Sequence, residues 1–227
     1  MSGTLILVGG NEFTEECSVE ESLAERHQRV LIVPTAAAFE DPNKMVAKAQ
    51  QRFDGLGVGV DVLEVYARSE SASDALFVQV AAAEVIYLTS GSPQHLRSVF
   101  KDSELFKRIV GAFLDGVTLV IAGEAMPVMC EHMPDQRGGG FTLGLEFITG
   151  CVVAPYSFES SPELWHRLIE LGPQDIPIVG IDDSTALILD SSNEWSLQGP
   201  GSAHVFVAGQ RQNLSELSTD IYSRGNE

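Results

Sequence analysis

Positive charge is scarce in this sequence. Lys and Arg number 14 against 32 Asp and Glu, leaving a formal net charge of −18 over 227 residues. A partner held through a phosphate backbone needs clustered Lys and Arg, so neither nucleic acid nor an anionic membrane surface is expected. Cysteine is nearly as rare: Cys17, Cys130 and Cys151 are spaced for neither a disulfide framework nor a zinc site. The expectation is a reduced, cytoplasmic protein with no metal and no other cofactor. No apolar run approaches the ~18 residues that suggest a membrane span. The opening "MSGTLILVGG" carries no basic segment ahead of its apolar run, so no targeting signal is read there.

What is present suits one α/β domain over residues 1–227, with an apolar fraction of 44% and a charged fraction of 20%. Short apolar runs ("TLILVGG", "RVLIVPTAA", "VDVLEVYA", "EVIYLTSG", "VTLVIAGE", "CVVAP", "PIVGIDD", "TALILD") alternate with helical segments near 42–54, 71–83 and 94–114. That alternation indicates βαβ units and a three-layer, mostly parallel sheet. The early runs are nearly continuous in Val, Ile and Leu, as strands covered on both faces should be. After Cys151 the pattern changes, and "SLQGPGSAHVFVAG" reads as a late hairpin or edge strands at about 195–208. The chain from about 218 to 227 is expected to fray.

Five of the strands end in small or turn residues: Gly9-Gly10-Asn11, Pro34-Thr35-Ala36, Ser90-Gly91-Ser92-Pro93, Ala122-Gly123 and Gly180-Ile181-Asp182-Asp183. Ligands of open α/β sheets bind beyond the carboxyl ends of the strands. If the strands are parallel neighbours, these ends meet at one pocket for a small-molecule or peptide ligand. Its candidate lining is Gly9, Gly10, Asn11, Gly91, Ser92, Gln94, Gly123, Glu124, Met126, Arg137 and Tyr156. The oligomeric state stays open, a homodimer included.

The segment "VTLVIAGEAMPVMCEHMPDQRGGG", 117–140, begins as a buried strand entering a tight strand-to-helix turn. At such a turn many α/β hydrolases seat a nucleophile between small residues. Here the turn reads Gly123-Glu124-Ala125-Met126, with no hydroxyl or thiol. Glu124 could act as acid, base or ligand anchor, or could cap the helix that follows. Pro127 suits a first helical turn, where its missing amide would have been unpaired. Cys130 reads as a packed core thiol, with rescue nucleophile as the alternative. Arg137 could hold a carboxylate by paired donors or form a structural ion pair. His27, His166 and His204 read as solvated or packing residues, while His95 and His132 follow the Gly91 and Gly123 turns.

In order and spacing, "LILVGGNEF", "YLTSGSPQHL", "VIAGEAM", "CEHMPDQRGGGFTLGL" and "PIVGIDDSTALILD" resemble the dipeptidase E and cyanophycinase family of serine peptidases. The resemblance spans roughly residues 4 to 208. It implies a class I glutamine amidotransferase-like, flavodoxin-type fold with a Ser nucleophile on the elbow, a His base downstream, an acidic partner and an oxyanion hole of backbone amides. Against the family pattern Ala-Gly-x-Ser-Ala-Gly-Ala-Met, this chain passes from Glu124 to Ala125-Met126 and reads two residues short. Ala125 falls nearest the missing nucleophile. Near the family's base, Ala154-Pro155-Tyr156-Ser157-Phe158 holds no His. Asp182 and Asp183 match the acidic part of the motif and read as carboxylates without an imidazole. The expectation is a degenerate site formed by Glu124, Ala125, Pro155, Asp182 and Asp183, in a non-catalytic homologue that binds a ligand or partner there. The alternative is an amide or peptide hydrolase built around Glu124, Cys130 and Asp183.

Overall fold

A computed structural model describes residues 2–135, 140–156 and 161–220. The first half of the chain runs β1 (Leu5–Val8), α1 (Val19–Ala24), β2 (Arg29–Val33), α2 (Pro42–Gly55), β3 (Gly59–Val62), α3 (Asp74–Ala81), β4 (Val85–Leu88), α4 (Pro93–Phe100), α5 (Glu104–Leu114) and β5 (Thr118–Ala122). There follow α6 (Ala125–Met129), the short strands β6 (His132–Pro134) and β7 (Phe141–Leu143), β8 (Val152–Pro155) and α7 (Pro162–Leu171). The chain then adds β9 (Ile178–Ile181), β10 (Ala186–Leu189), β11 (Trp195–Gln198), β12 (Ala203–Val207) and β13 (Gln210–Gln212).

The main sheet has seven strands in the order β11-β10-β1-β5-β4-β2-β3. Its β1, β5, β4, β2 and β3 are mutually parallel, and β10 joins β1 antiparallel. Alternation along each strand divides the core in two. Leu5, Leu7, Leu31, Val33, Ile86, Leu88, Leu119 and Ile121 face the core shared with α3, α4, α5 and α6. Ile6, Val8, Val30, Ile32, Val85, Tyr87 and Val120 face the core under α1 and α2, where Phe53 is fully buried. This is the three-layer arrangement expected from the near-continuous apolar strands.

The expected helix at 94–114 is two helices. Asp102 takes a left-handed conformation with φ 57°, and the Ser103 hydroxyl then accepts the Phe106 amide at 3.1 Å to start α5. That cap outweighs the continuous apolar stripe. Likewise Asp41 caps α2 and Ser92 caps α4, each just ahead of a proline at the first helical position.

The single sheet expected to carry every strand end is two sheets. β8 and β9 pair in parallel within a separate four-stranded sheet of order β13-β12-β9-β8. Val153, Val179, Ile181 and Val205 on one of its faces pack into the core of the main sheet. Val152, Ala154 and Ile178 on the other face pack under Trp165 and Leu168 of α7. Of the late hairpin or edge strands expected at about 195–208, the edge reading holds for β11, which borders the main sheet, whereas the hairpin does not form, because β12 pairs with β9 and β13 in the smaller one. Between them "GPGS" carries the chain from one sheet to the other. Of the stretch expected to fray, about 218–227, Ser218 and Thr219 are instead held by the side chains of Trp195 and Asn193, and 221–227 lie outside the described residues.

Candidate active site

Because β1, β2, β4 and β5 are parallel, the turns that follow them share one edge of the main sheet. Hydrogen bonds tie these turns together. The Gly123 amide donates to Val8 O at 2.8 Å, and the Ser92 amide to Ala36 O at 2.8 Å. The turn after β9 arrives from the other sheet: Gly9 N–H donates to Thr185 O at 2.9 Å, and Ser184 N–H to Gly10 O at 3.0 Å. A Cβ on Gly9 would overlap the Asp182 backbone, lying 2.7 Å from its carbonyl carbon, so only glycine admits this approach. Hydrogen bonds thus link the turns of the five strand ends, that of β9 reaching the main sheet from the smaller one.

At the centre of this edge the turn from β5 to α6 is complete. Gly123 is its apex, with φ 51°, and Glu124 and Ala125 are already helical. The single left-handed residue between strand and helix stands where an elbow nucleophile stands. Hence Gly123, rather than Ala125, occupies that position, and the elbow has its full length. Ala125 and Met126 are fully buried in the core, so neither faces a ligand. The Glu124 side chain is exposed and makes no capping hydrogen bond to α6. Its amide donates to the Ser90 hydroxyl at 3.1 Å, while the Ser90 amide donates to Glu12 Oε1 at 3.0 Å.

The smaller sheet carries a second cluster. Asp182 was expected to lack an imidazole, yet His204 Nε2 lies 2.8 Å from its Oδ1. The register of β12 on β9 sets His204 opposite Gly180, two residues before Asp182. The other carboxylate oxygen accepts the Ser202 amide at 2.8 Å. Arg211 Nη2 approaches His204 Nδ1 at 2.8 Å, so with the guanidinium donating there the Nε2 proton faces Asp182. Tyr156 stacks on the imidazole with centroids 3.9 Å apart and meets the Trp165 ring edge-on at 4.6 Å. Partial burial raises the Tyr156 phenol above its ordinary value, with Arg211 opposing.

Of the remaining candidates, Gly91, Ser92 and the exposed Gln94 lie at or just beyond the end of β4, and Gly10 and the exposed Asn11 beyond β1. Asp183 turns toward Gly10, where its Oδ1 would lie 2.5 Å from an added Cβ. Pro155 ends β8 beside Tyr156. Arg137 lies outside the described residues. Cys130 is buried against the Val153 amide, and burial pushes its thiol up to about 12. Cys17 is likewise pushed up to about 12, and Cys151 is raised well above its ordinary value. His95 faces Tyr66 O at 2.9 Å, whereas His132 lies 3.8 Å from Glu131. His27, 3.7 Å from Glu84, is only 22% exposed, so it is not the solvated residue expected, whereas His166 is largely exposed.

A cavity of about 330 Å³ lies at the opposite, amino edge of the sheet, lined in part by Thr4, Arg26, Thr118 and Asp190. It shares no residue with the carboxyl edge. Reading the sequence missed Glu12, Ser90, His204 and Arg211. Ser90 was visible only as a turn residue, and the pairing of His204 with Asp182 depends on a strand register no local pattern encodes.

Residues 5–194 match the model of peptidase family S51. Among solved structures, a peptidase from an acI-B1 Actinobacterium is 26% identical, with 93% of each chain covered and a TM-score of 0.83. A candidate peptidase E protein from Listeria monocytogenes EGD-e shares the fold at 14% identity and TM-score 0.63, over 88% of this chain and 100% of that one. Comparison with curated proteins yields no match. The parallel sheet, the elbow-shaped turn at its centre and the match over most of the chain lead to one conclusion: this protein belongs to peptidase family S51.

Proposed function

We propose that this chain binds a small peptide-like ligand at the carboxyl edge and does not turn it over through an elbow serine. The observation that carries this reading is Gly123 at the elbow apex, where a nucleophile would need a side chain. Hydroxyl attack on an amide also requires an oriented base, and the His204 imidazole is held between Asp182 and Arg211. A hydrolase built on Glu124, Cys130 and Asp183 is disfavoured, because a thiol at about 12 carries almost no thiolate at neutral pH. Three free, buried cysteines suit a reducing cytoplasm.

Titration calorimetry with Asp-Xaa dipeptides tests the reading. Saturable binding at one site per chain is expected, weakened about tenfold in Tyr156→Ala, a loss of ~1.4 kcal/mol. Failure of any such dipeptide to bind, or equal affinity in the variant, contradicts it.

A further inference from the structure

We propose that Ser90 stands in for the missing elbow nucleophile and accepts one acyl group from an activated ester or strained amide. The proposal rests on the reading that ligands enter the carboxyl edge. Ser90 follows β4, the strand paired beside β5, and it reaches the apex from the side. A Cβ built on Gly123 would overlap the Ser90 Oγ and lie 2.8 Å from its Cβ. The hydroxyl thus fills the space in which an elbow side chain would begin, and Ser90 is only half-buried.

Its surroundings suit attack on a carbonyl. The Glu124 amide, the first after the apex, donates to the Oγ at 3.1 Å, fixing the hydroxyl and favouring negative charge on it as its proton leaves. The Glu12 carboxyl is tied to the serine's own amide at 3.0 Å and is only 8% exposed. Left-handed Asn11 and Phe13, at φ 56° and 62°, turn Glu12 inward, and the Phe13 amide is held by Glu20 at 3.2 Å. The amide of Gly91, immediately after Ser90, has no hydrogen-bond acceptor among the described residues. It is the donor available to a developing oxyanion.

Glu12 holds the amide of Ser90 and makes no direct hydrogen bond to its hydroxyl, so in the step Ser90 Oγ bonds to the acyl carbon while its proton passes by way of a water to the Glu12 carboxylate. The tetrahedral oxyanion then collapses and the bond to the leaving group breaks: an ester's phenolate departs as an anion, and an amide nitrogen leaves as the amine, taking the proton back from the Glu12 carboxyl. The Ser90 ester persists, because the imidazole that would activate water is engaged at both nitrogens.

The test uses the full chain with p-nitrophenyl acetate and, in parallel, a fluorophosphonate. Nitrophenolate release is followed by stopped flow and adducts are mapped by peptide mass spectrometry. One equivalent of nitrophenolate is expected from the ester and an adduct on Ser90 from each probe, all lost in Ser90→Ala. Glu12→Gln retains an acceptor for the Ser90 amide but takes no proton, so acylation should slow about a hundredfold. This variant decides the matter if Ser90→Ala does not fold. No adduct on Ser90, or an unchanged rate in Glu12→Gln, overturns the proposal. Repeated turnover through a Ser90 adduct would overturn the single acylation while leaving the absence of an elbow serine untouched.

Discussion

The carboxyl edges of the two sheets differ in what they keep. At the main sheet the backbone has the shape of a hydrolase elbow, with Gly123 left-handed between β5 and α6, but no side chain stands at its apex. At the smaller sheet an acid–imidazole pair is formed between Asp182 and His204, yet the free imidazole nitrogen meets Arg211 instead of a hydroxyl. The first edge holds geometry without its reactive group; the second holds reactive groups turned to another partner. Main-chain shape and side-chain chemistry are thus separable here. The elbow is fixed by main-chain bonds such as Gly123 N–H to Val8 O, none of which needs a nucleophile. The pair in the smaller sheet rests on strand register and ring stacking, which act whether or not a substrate is attacked.

The largest expected effect breaks the smaller sheet's side. Trp165 is 1% exposed and supports Tyr156, which in turn stacks on His204. Trp165→Ala should lower stability by about 3–5 kcal/mol, read by urea unfolding. A loss below about 1 kcal/mol would show that α7 contributes little to holding that cluster. Next, Gly123→Ala should cost about 1–2 kcal/mol for a left-handed alanine, with a further ~1–3 kcal/mol for overpacking against Ser90. Only the second part should vanish in a Ser90→Gly background, so a double-mutant cycle with no coupling would remove Ser90 from the apex.

Glu20 sharpens the elbow side through pH. It is fully buried, accepts from Phe13 N–H and Tyr87 O–H, and burial raises its carboxyl above the ordinary value. A carboxyl raised in the folded state releases its proton first from the unfolded chain. Its contribution is therefore complete below the unfolded value of about 4.3 and is lost as pH rises through the folded one. Glu20→Gln should remove this decline, so that the variant's melting temperature exceeds the wild type's at pH 8 by more than at pH 4. Equal differences at both would show that Glu20 does not titrate across that window. The smallest effect belongs to Arg211→Ala, whose exposed contact should change stability by no more than ~1 kcal/mol. Modification of His204 by diethylpyrocarbonate should nevertheless quicken several-fold once Nδ1 is released; an unchanged rate would mean that Arg211 does not occupy that nitrogen.

The strands of the main sheet were legible because Val, Ile and Leu runs such as "RVLIV" and "VTLVIA" are long enough to declare strands buried on both faces. The turns after them were legible from Gly, Ser and Pro. The split into two sheets was not, because "PIVGIDD" reads alike in either sheet and only its pairing with β8 and β12 decides. Asp182 was found and His204 was not, since they join across a register rather than along the chain. The elbow was recognised by its sequence, but it was read as two residues short with Ala125 nearest the missing nucleophile, because local order does not show which residue of the turn is left-handed, and that residue is Gly123. Ser90 was hidden for the same reason: its role comes from the neighbouring strand.

The measurement that bears most directly on the account is a steady-state assay of the pure wild-type protein with Asp-Xaa dipeptides in hundredfold excess, alongside Ala125→Ser, Glu124→Gln and Cys130→Ala. The account predicts no hydrolysis above the uncatalysed rate in any of them, Ala125→Ser included, because residue 125 lies buried inside α6. Hydrolysis that scales with protein concentration and disappears in Glu124→Gln or Cys130→Ala would contradict it and identify the group that works in place of the elbow serine.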